Sequence, residues 1–390
     1  MGRFGGLLSV CILAACGQGG GDYVDGVIVF DNSIDYPVLD LRFSDVAEVT
    51  YVPLKGVDEG YLLGSMYQYG NEISIDEDDI YIRQENGGIY VFDRLGNPLR
   101  KLDRRGRGLG EWGQGNFNFW VEPESNSVYV QGMLGVFEYD DAASFDFKRG
   151  GSPEFMSSVP RIAPLNRDYV ILHYRHESRN APNPIPFSLM STSDWEMEPL
   201  PVRLERPYMP DPDWVMRNST MVQGREGVFL CSMRSDTISW ISRETMEVSP
   251  RMVDKSKYPR QELYGHEIMA LPSFETERYL FFSIVFWPPY YPNMERRGFV
   301  FDKGREKIFS LPQTEEWRYF PAQDPRLYDL GLHEHWLTVW NTTLNRDYGA
   351  VLFQAIHLID NMDILPPGLK EIAATLEEGN NPVLAVIRLK

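Results

Sequence analysis

The densest group of chemically competent side chains in this 390-residue sequence is Arg104-Arg105-Gly106-Arg107-Gly108-Leu109-Gly110-Glu111-Trp112. Its guanidiniums could clamp a carboxylate or phosphate bidentately. Its glycines permit positive φ and close approach of a ligand, and Trp112 offers a stacking face. No Gly-Lys-Ser/Thr and no strand–GxGxxG–helix context surrounds it, so it is not a nucleotide fingerprint. Arg104, Arg105, Arg107 and Trp112 are therefore candidate ligand-binding residues. The competing role is a connection between sheets, with glycines serving turn geometry and arginines paired with nearby acids.

A second candidate surface is Trp287-Pro288-Pro289-Tyr290-Tyr291-Pro292. Rigid exposed aromatics stack on sugar rings or hold extended peptides, which makes Trp287, Tyr290 and Tyr291 the candidate contacts to a glycan; the plainer role is a packed rim loop. His333-Glu334-His335 would place two imidazoles on one strand face, and His173 and His176 would point to opposite faces. No third ligand follows from spacing at either place, so no metal and no cofactor is expected. Gly-x-Ser-x-Gly, His-Glu-x-x-His and sialidase-type Ser-x-Asp-x-Gly signatures are absent from the sequence, and Asp76/Asp78 and Asp140/Asp141 read as solvated turn carboxylates. No catalytic residue is assigned.

At the N-terminus one cation, Arg3, precedes the apolar run Leu7-Leu8-Ser9-Val10-Cys11-Ile12-Leu13, too short to span a bilayer. Leu13-Ala14-Ala15-Cys16 resembles a bacterial lipobox, so residues 1–15 are expected to be a lipoprotein signal and Cys16 the acylated residue. Residues 16–44, with Gly19-Gly20-Gly21, are expected to be a tether and N-terminal extension. Gly17 is not the aspartate of inner-membrane retention, which favours the outer membrane. The remaining Cys231 sits in an apolar run and is expected to be a buried, inert thiol.

The chain carries 38 Lys+Arg against 56 Asp+Glu, a net charge of −18 with no compensating basic stripe. That balance disfavours nucleic acid, and the membrane is met through the lipid alone.

These residues must be positioned by a β-rich body. Ile73–Ile75, Ile80–Ile82, Val128–Val130, Tyr169–Leu172 and Tyr279–Phe282 are β-branched or aromatic runs bounded by turn residues. A weak repeat pairs Tyr90-Val91-Phe92-Asp93 with Phe299-Val300-Phe301-Asp302, each followed by turn chemistry and a second strand. Similar hairpins begin near 88, 134, 186, 237 and 297, and a last strand near 382. That spacing is close to the repeat length of familiar propeller blades, except for one enlarged gap. The expectation is an all-β, six-bladed β-propeller over residues 45–390. Strand 46–54 would complete the last blade beside the C-terminal strand. The enlarged gap should hold one amphipathic helix, opened by Pro366-Pro367, carrying Leu369, Ile372, Ala373 and Leu376, and stopped at Gly379.

Three segments resemble the six-bladed β-propeller lipoproteins of Bacteroides-type bacteria, which are related to NHL-repeat propellers. They are Val49-Thr50-Tyr51-Val52-Pro53-Leu54, Ile89–Gly96 continuing to Trp112, and Asn381-Pro382-Val383-Leu384 through Lys390. Where the family has Gly-Pro-Gly-Glu-Tyr, this chain has Gly108-Leu109-Gly110-Glu111-Trp112. The resemblance implies a fold and an envelope location. The resulting expectation is a non-catalytic binding module for a glycan, peptide or envelope protein; the alternative is a propeller-type hydrolase or lyase acting on carbohydrate or lactone.

Overall fold

A computed structural model describes residues 21–63, 73–84, 88–113, 116–122, 126–141, 144–151, 161–173, 186–202, 204, 219–232, 235–256, 267–287, 298–311 and 348–390. The chain opens with a small hairpin, Tyr23–Val24 (β1) and Val27–Phe30 (β2), then a helical turn Phe43–Val46 (α1) and strand Ala47–Pro53 (β3). Five four-stranded antiparallel meanders follow. The first is Ile73–Ile75 (β4), Asp79–Arg83 (β5), Ile89–Asp93 (β6) and Pro98–Leu102 (β7). The second is Asn116–Glu122 (β8), Ser127–Gly132 (β9), Gly135–Asp140 (β10) and Phe147–Gly151 (β11). The third is Arg161–Pro164 (β12), Tyr169–His173 (β13), Phe187–Ser191 (β14) and Met197–Pro199 (β15). The fourth is Ser219–Gln223 (β16), Gly227–Ser232 (β17), Thr237–Ser242 (β18) and Val248–Asp254 (β19). The fifth is Glu267–Glu275 (β20), Tyr279–Trp287 (β21), Gly298–Asp302 (β22) and Lys307–Ser310 (β23). The sixth sheet joins Tyr348–Phe353 (β24) and Val383–Leu389 (β25) to β3.

The second strand of each meander is apolar on both faces, as a sheet sandwiched between two neighbours requires. Six apolar clusters result, and each joins two successive sheets. Ile80 and Ile82 meet Leu384 and Val386 of the sixth sheet. Tyr81 and Val91 meet Phe119 and Val130, and Trp120 and Tyr129 meet Val170 and Leu172. Ile171 and Leu189 meet Val228 and Leu230, and Phe229 and Trp240 meet Leu280 and Phe282. Phe281 and Val300 meet Val351 and Ile387, which returns the series to the sixth sheet. A blade taken alone would leave both faces wet, at about 1.5–3 kcal/mol for each large side chain. The expected six-bladed propeller is the fold.

β25 pairs with β3 along its whole length, from Val383↔Pro53 to Leu389↔Ala47, as expected for strand 46–54. Two details differ from the sequence reading. The hairpins it located begin with the third strand of each meander, because the first strands are short or irregular. The helix Pro367–Ala373 (α3) is preceded by a second, Ala355–Asp360 (α2), whose six residues are too few to show a helical period. Leu358 of α2 and Leu369 and Ala373 of α3 are buried in the cluster between the fifth and sixth sheets.

The segment expected as tether and extension is built into the body from Asp22 onward. β2 adds to the fourth sheet by parallel pairing with β19 (Met252↔Ile28). Phe30 packs against Phe282 and Phe299 at ring distances of 5.1 and 4.9 Å. Leu39 N–H then donates to the Ser310 carbonyl at 3.0 Å on the fifth sheet, before β3 enters the sixth. Residues 22–53 thus strap three consecutive blades.

Candidate functional site

The meander topology gives the ring two unlike ends. The turns joining first to second and third to fourth strands are short and lie at one end. The second-to-third connections and the links between sheets start from the other.

The short-turn end is stapled. Asp93 accepts the Leu95 and Asn97 N–H groups at 2.8 Å each, and Asp302 accepts those of Gly304 (3.0 Å) and Arg305 (3.2 Å), closing equivalent turns. Among the described residues, five of the six interfaces carry a polar or cation–π bridge there. Arg94 lies 4.5 Å over the Tyr348 ring. Arg100 and the Tyr81 hydroxyl both donate to Asp141, at 2.8 and 2.5 Å. Arg149 donates to the Thr192 carbonyl at 2.5 Å and to that of Ser193. Arg243 donates to the carbonyls of Pro164 (2.8 Å) and Leu165 (2.7 Å). The Arg225 N–H donates to the Glu275 carboxylate at 2.9 Å. Such charge-assisted bonds, most of them between buried or half-buried groups, fix blade against blade.

At the loop end stands the glycine–arginine segment, which links β7 to β8. It folds back on itself: Gly106 and Gly113 form a bridge, and the Trp112 N–H donates to the Arg104 carbonyl at 3.1 Å. The Glu111 carboxylate accepts the Gly108 N–H at 2.6 Å. Gly110 lies in the left-handed region of positive φ, which side chains disfavour. A Cβ there would also meet the Phe147 ring at 2.7 Å, so glycine is required. The Tyr139 hydroxyl donates to the Gly110 carbonyl at 2.8 Å from beneath. Burial pushes that phenol well above its ordinary pKa, so it remains a donor.

The candidate residues of this segment divide. Trp112 is completely buried, edge-on to Tyr139 at 5.9 Å, so its indole is a plug between the first two blades and not a stacking face for a ligand. An indole beside glycines reads the same from sequence whether it points in or out, and here it points in. Arg105 is engaged with Asp103 at 2.7 Å. Arg104 and Arg107 are exposed, and their guanidiniums make no ion pair or hydrogen bond among the described residues. Trp287 ends β21 at this same end, and its side chain, together with Tyr290 and Tyr291, lies outside the described residues, as do Cys16, His176, His333 and His335.

A row of groups in the blade interfaces toward the loop end, four of five buried and Ser283 half-buried, was not anticipated from sequence. The fifth residue of each second strand, counted from the short-turn end, is Arg83, Gln131, His173, Cys231 and Ser283 in the first five blades. The third residues of the same strands, Tyr81, Tyr129, Ile171, Phe229 and Phe281, pack toward the following blade, and the fifth share their side of the strand. His173 is buried, stacks on Phe187 at 5.3 Å, and its Nε2 lies 2.8 Å from Ser219 Oγ on the next blade. Gln131 accepts from Asn118. Burial drives the Cys231 thiol well above the usual range, which makes it inert. The signal in sequence is a five-residue repeat, apolar at its second to fourth positions and able to hydrogen-bond at its fifth; it shows once the second strands are aligned. Among the described residues no group of three or more His, Cys, Asp or Glu side chains is arranged to hold a metal ion.

The expected resemblance to six-bladed propellers holds. Residues 21–192 match the model of the DUF5128 family, described as a 6-bladed beta-propeller. A Bacteroides fragilis protein named for its expected export superposes with a TM-score of 0.60 and 17% identity, over 93% of this chain and 99% of that one, a likeness of fold. A DUF4221-family protein of Bacteroides vulgatus aligns with a TM-score of 0.45 and 10% identity over 88% of this chain and 99% of that one. No curated protein matches the chain.

Proposed function

We propose that this propeller is an exported, lipid-anchored envelope protein that binds a glycan, peptide or partner protein at its loop end, without chemistry. The observation that carries the reading is the division of labour between the two ends. Inter-blade cations engage carbonyls, carboxylates and aromatic rings at the short-turn end, whereas Arg104 and Arg107, without a partner among the described residues, stand at the other. A rigid scaffold presenting variable loops on one side is the usual architecture of a recognition surface.

Acylation at Cys16 supports the envelope location, and Gly17 favours the outer membrane. The chain joins the body at Asp22, so the few residues between Cys16 and that point would hold the outer edge of the fourth blade close to the lipid, even when fully extended. Replacing Cys16→Ser should abolish labelling by radioactive palmitate and release the protein from membranes; unchanged labelling sinks the anchor assignment.

The binding reading is tested by thermal unfolding against a panel of glycans and peptides. A ligand at 100 times its Kd should add about 2.7 kcal/mol of stability. Substitutions at the loop end should remove the shift, and substitutions of exposed short-turn residues should not. EDTA-sensitive turnover of a panel glycan, without a ligand-induced shift, would overturn the reading in favour of an enzyme.

A further inference from the structure

We propose that the lip formed by Arg104, Arg107, Leu109, Met133 and Leu134 docks a segment of another protein chain that combines acidic and apolar side chains. This names the partner class for the loop end and rests on the binding reading above.

The lip is built from two joined loops and already held in shape. Met133 and Leu134 form the turn between β9 and β10, and a Cβ on Gly113 would come within 3.3 Å of both side chains. The Leu134 N–H donates to the Trp112 carbonyl at 3.4 Å, so this turn and the glycine–arginine segment are one surface. The Gly106–Gly113 bridge, the Glu111 clasp on Gly108 and the Tyr139 bond to Gly110 fix the backbone beneath it. A surface whose backbone is fixed beforehand loses little freedom on binding.

Its chemistry is mixed. Leu109 is 91% exposed, Met133 56% and Leu134 44%, three apolar side chains on two joined loops that stay wet unless something covers them. The same segment carries the exposed Arg104 and Arg107, whose guanidiniums make no ion pair among the described residues of a chain that holds 56 Asp+Glu. Complementarity calls for negative charge interleaved with apolar groups. A hydroxyl-rich glycan would leave the leucines wet. An anionic membrane surface attracts clusters of four or more basic residues at about 1 kcal/mol each, and two arginines on a body of net charge −18 fall short of that. An acidic, leucine-bearing protein segment satisfies both halves of the lip.

The test pans the full-length protein, in detergent, against phage-displayed random peptides, and remeasures recovered peptides by fluorescence anisotropy. The recovered sequences should be enriched in Asp and Glu interleaved with Leu, Ile, Met or Phe. The double variant Arg104→Glu/Arg107→Glu should bind them at least about 10-fold more weakly, and Leu109→Ser should weaken them several-fold, with melting temperatures unchanged because all three side chains are exposed. Recovery of no peptide, absence of acidic enrichment, or full affinity in the double variant overturns the lip assignment, while a glycan-induced thermal shift in the same preparation would leave the binding reading standing. Binding to phosphatidylglycerol vesicles that the double variant loses, without peptide binding, assigns the lip to lipid and overturns the proposal as well.

Discussion

The Tyr81 hydroxyl on the first blade donates to the Asp141 carboxylate on the second at 2.5 Å, and Arg100 holds the other oxygen of the same carboxylate at 2.8 Å. This pair shows how the ring is tied at its short-turn end: a buried phenol and a guanidinium from one blade meet a carboxylate supplied by the next. Replacing Tyr81→Phe keeps the ring packing and removes the donor. The expected cost is about 1.5–3 kcal/mol, the range for a hydrogen bond to a charged group, read as a lower urea midpoint with unchanged slope. An unchanged midpoint would mean that the bridge carries no net stability.

Asp302 sets the direction of the acid limb. Burial alone would raise its pKa, but the hydrogen bond and charge of Arg278, with the Gly304 and Arg305 amides, outweigh it and hold the carboxyl below the ordinary aspartate range. Asp93 is lowered too: a raising contribution from burial is overcome by its bonds to Asn97 and Leu95. A carboxyl whose folded pKa lies below its unfolded value binds fewer protons when folded. Its stabilisation is full above the unfolded pKa, about 3.9, and drains as the pH falls through the folded value. Urea unfolding followed downward from neutral pH should therefore show falling stability, and Asp302→Asn should be weaker at neutral pH with a shallower acid limb. Parallel limbs in the two proteins would exclude Asp302 from the acid response.

Trp112 separates a plug from a ligand platform. Its complete burial predicts a loss of about 3–5 kcal/mol for Trp112→Ala. Arg104→Ala and Arg107→Ala should leave stability nearly at the parent value, as substitutions of exposed side chains do. Thermal unfolding of the three variants decides the matter. A fully stable Trp112→Ala protein would return the indole to the surface.

Closure of the ring predicts that removing residues 380–390 unfolds the whole domain cooperatively, because β25 is the partner of both β24 and β3. The milder Leu384→Ala opens a void in the cluster between the sixth and first sheets and should cost about 2–5 kcal/mol. A truncated protein that melts like the intact one would contradict the shared sheet.

Much of this architecture was readable before coordinates. The third-to-fourth strand hairpins carry their own turn chemistry, with Asp93-Arg94-Leu95-Gly96 and Asp302-Lys303-Gly304 as the clearest pair, so blade number followed from their spacing. First strands such as Ile73–Ile75 are too short to announce a period, and α2 likewise. At the candidate site Arg104 and Arg107 are exposed, whereas Trp112, expected as a stacking face, is buried. Local composition does not encode that Trp112 sits against Gly132 of the second blade, where an added Cβ would meet the Trp112 Cβ at 2.4 Å. The inter-blade arginine bridges were hidden for the same reason: Arg243 and Pro164 are neighbours in space at 79 residues' separation.

The shared sixth sheet also bears on the order in which the molecule is made. Asn381 donates to the Lys55 carbonyl at 3.1 Å across 326 residues of sequence. β3, synthesised early, therefore waits with an unsatisfied edge until β25 has appeared. Loop closure over that distance makes the final docking slow relative to the local meanders. For a polypeptide threaded through a membrane before folding, the interval between the two strands is a window for proteases and chaperones.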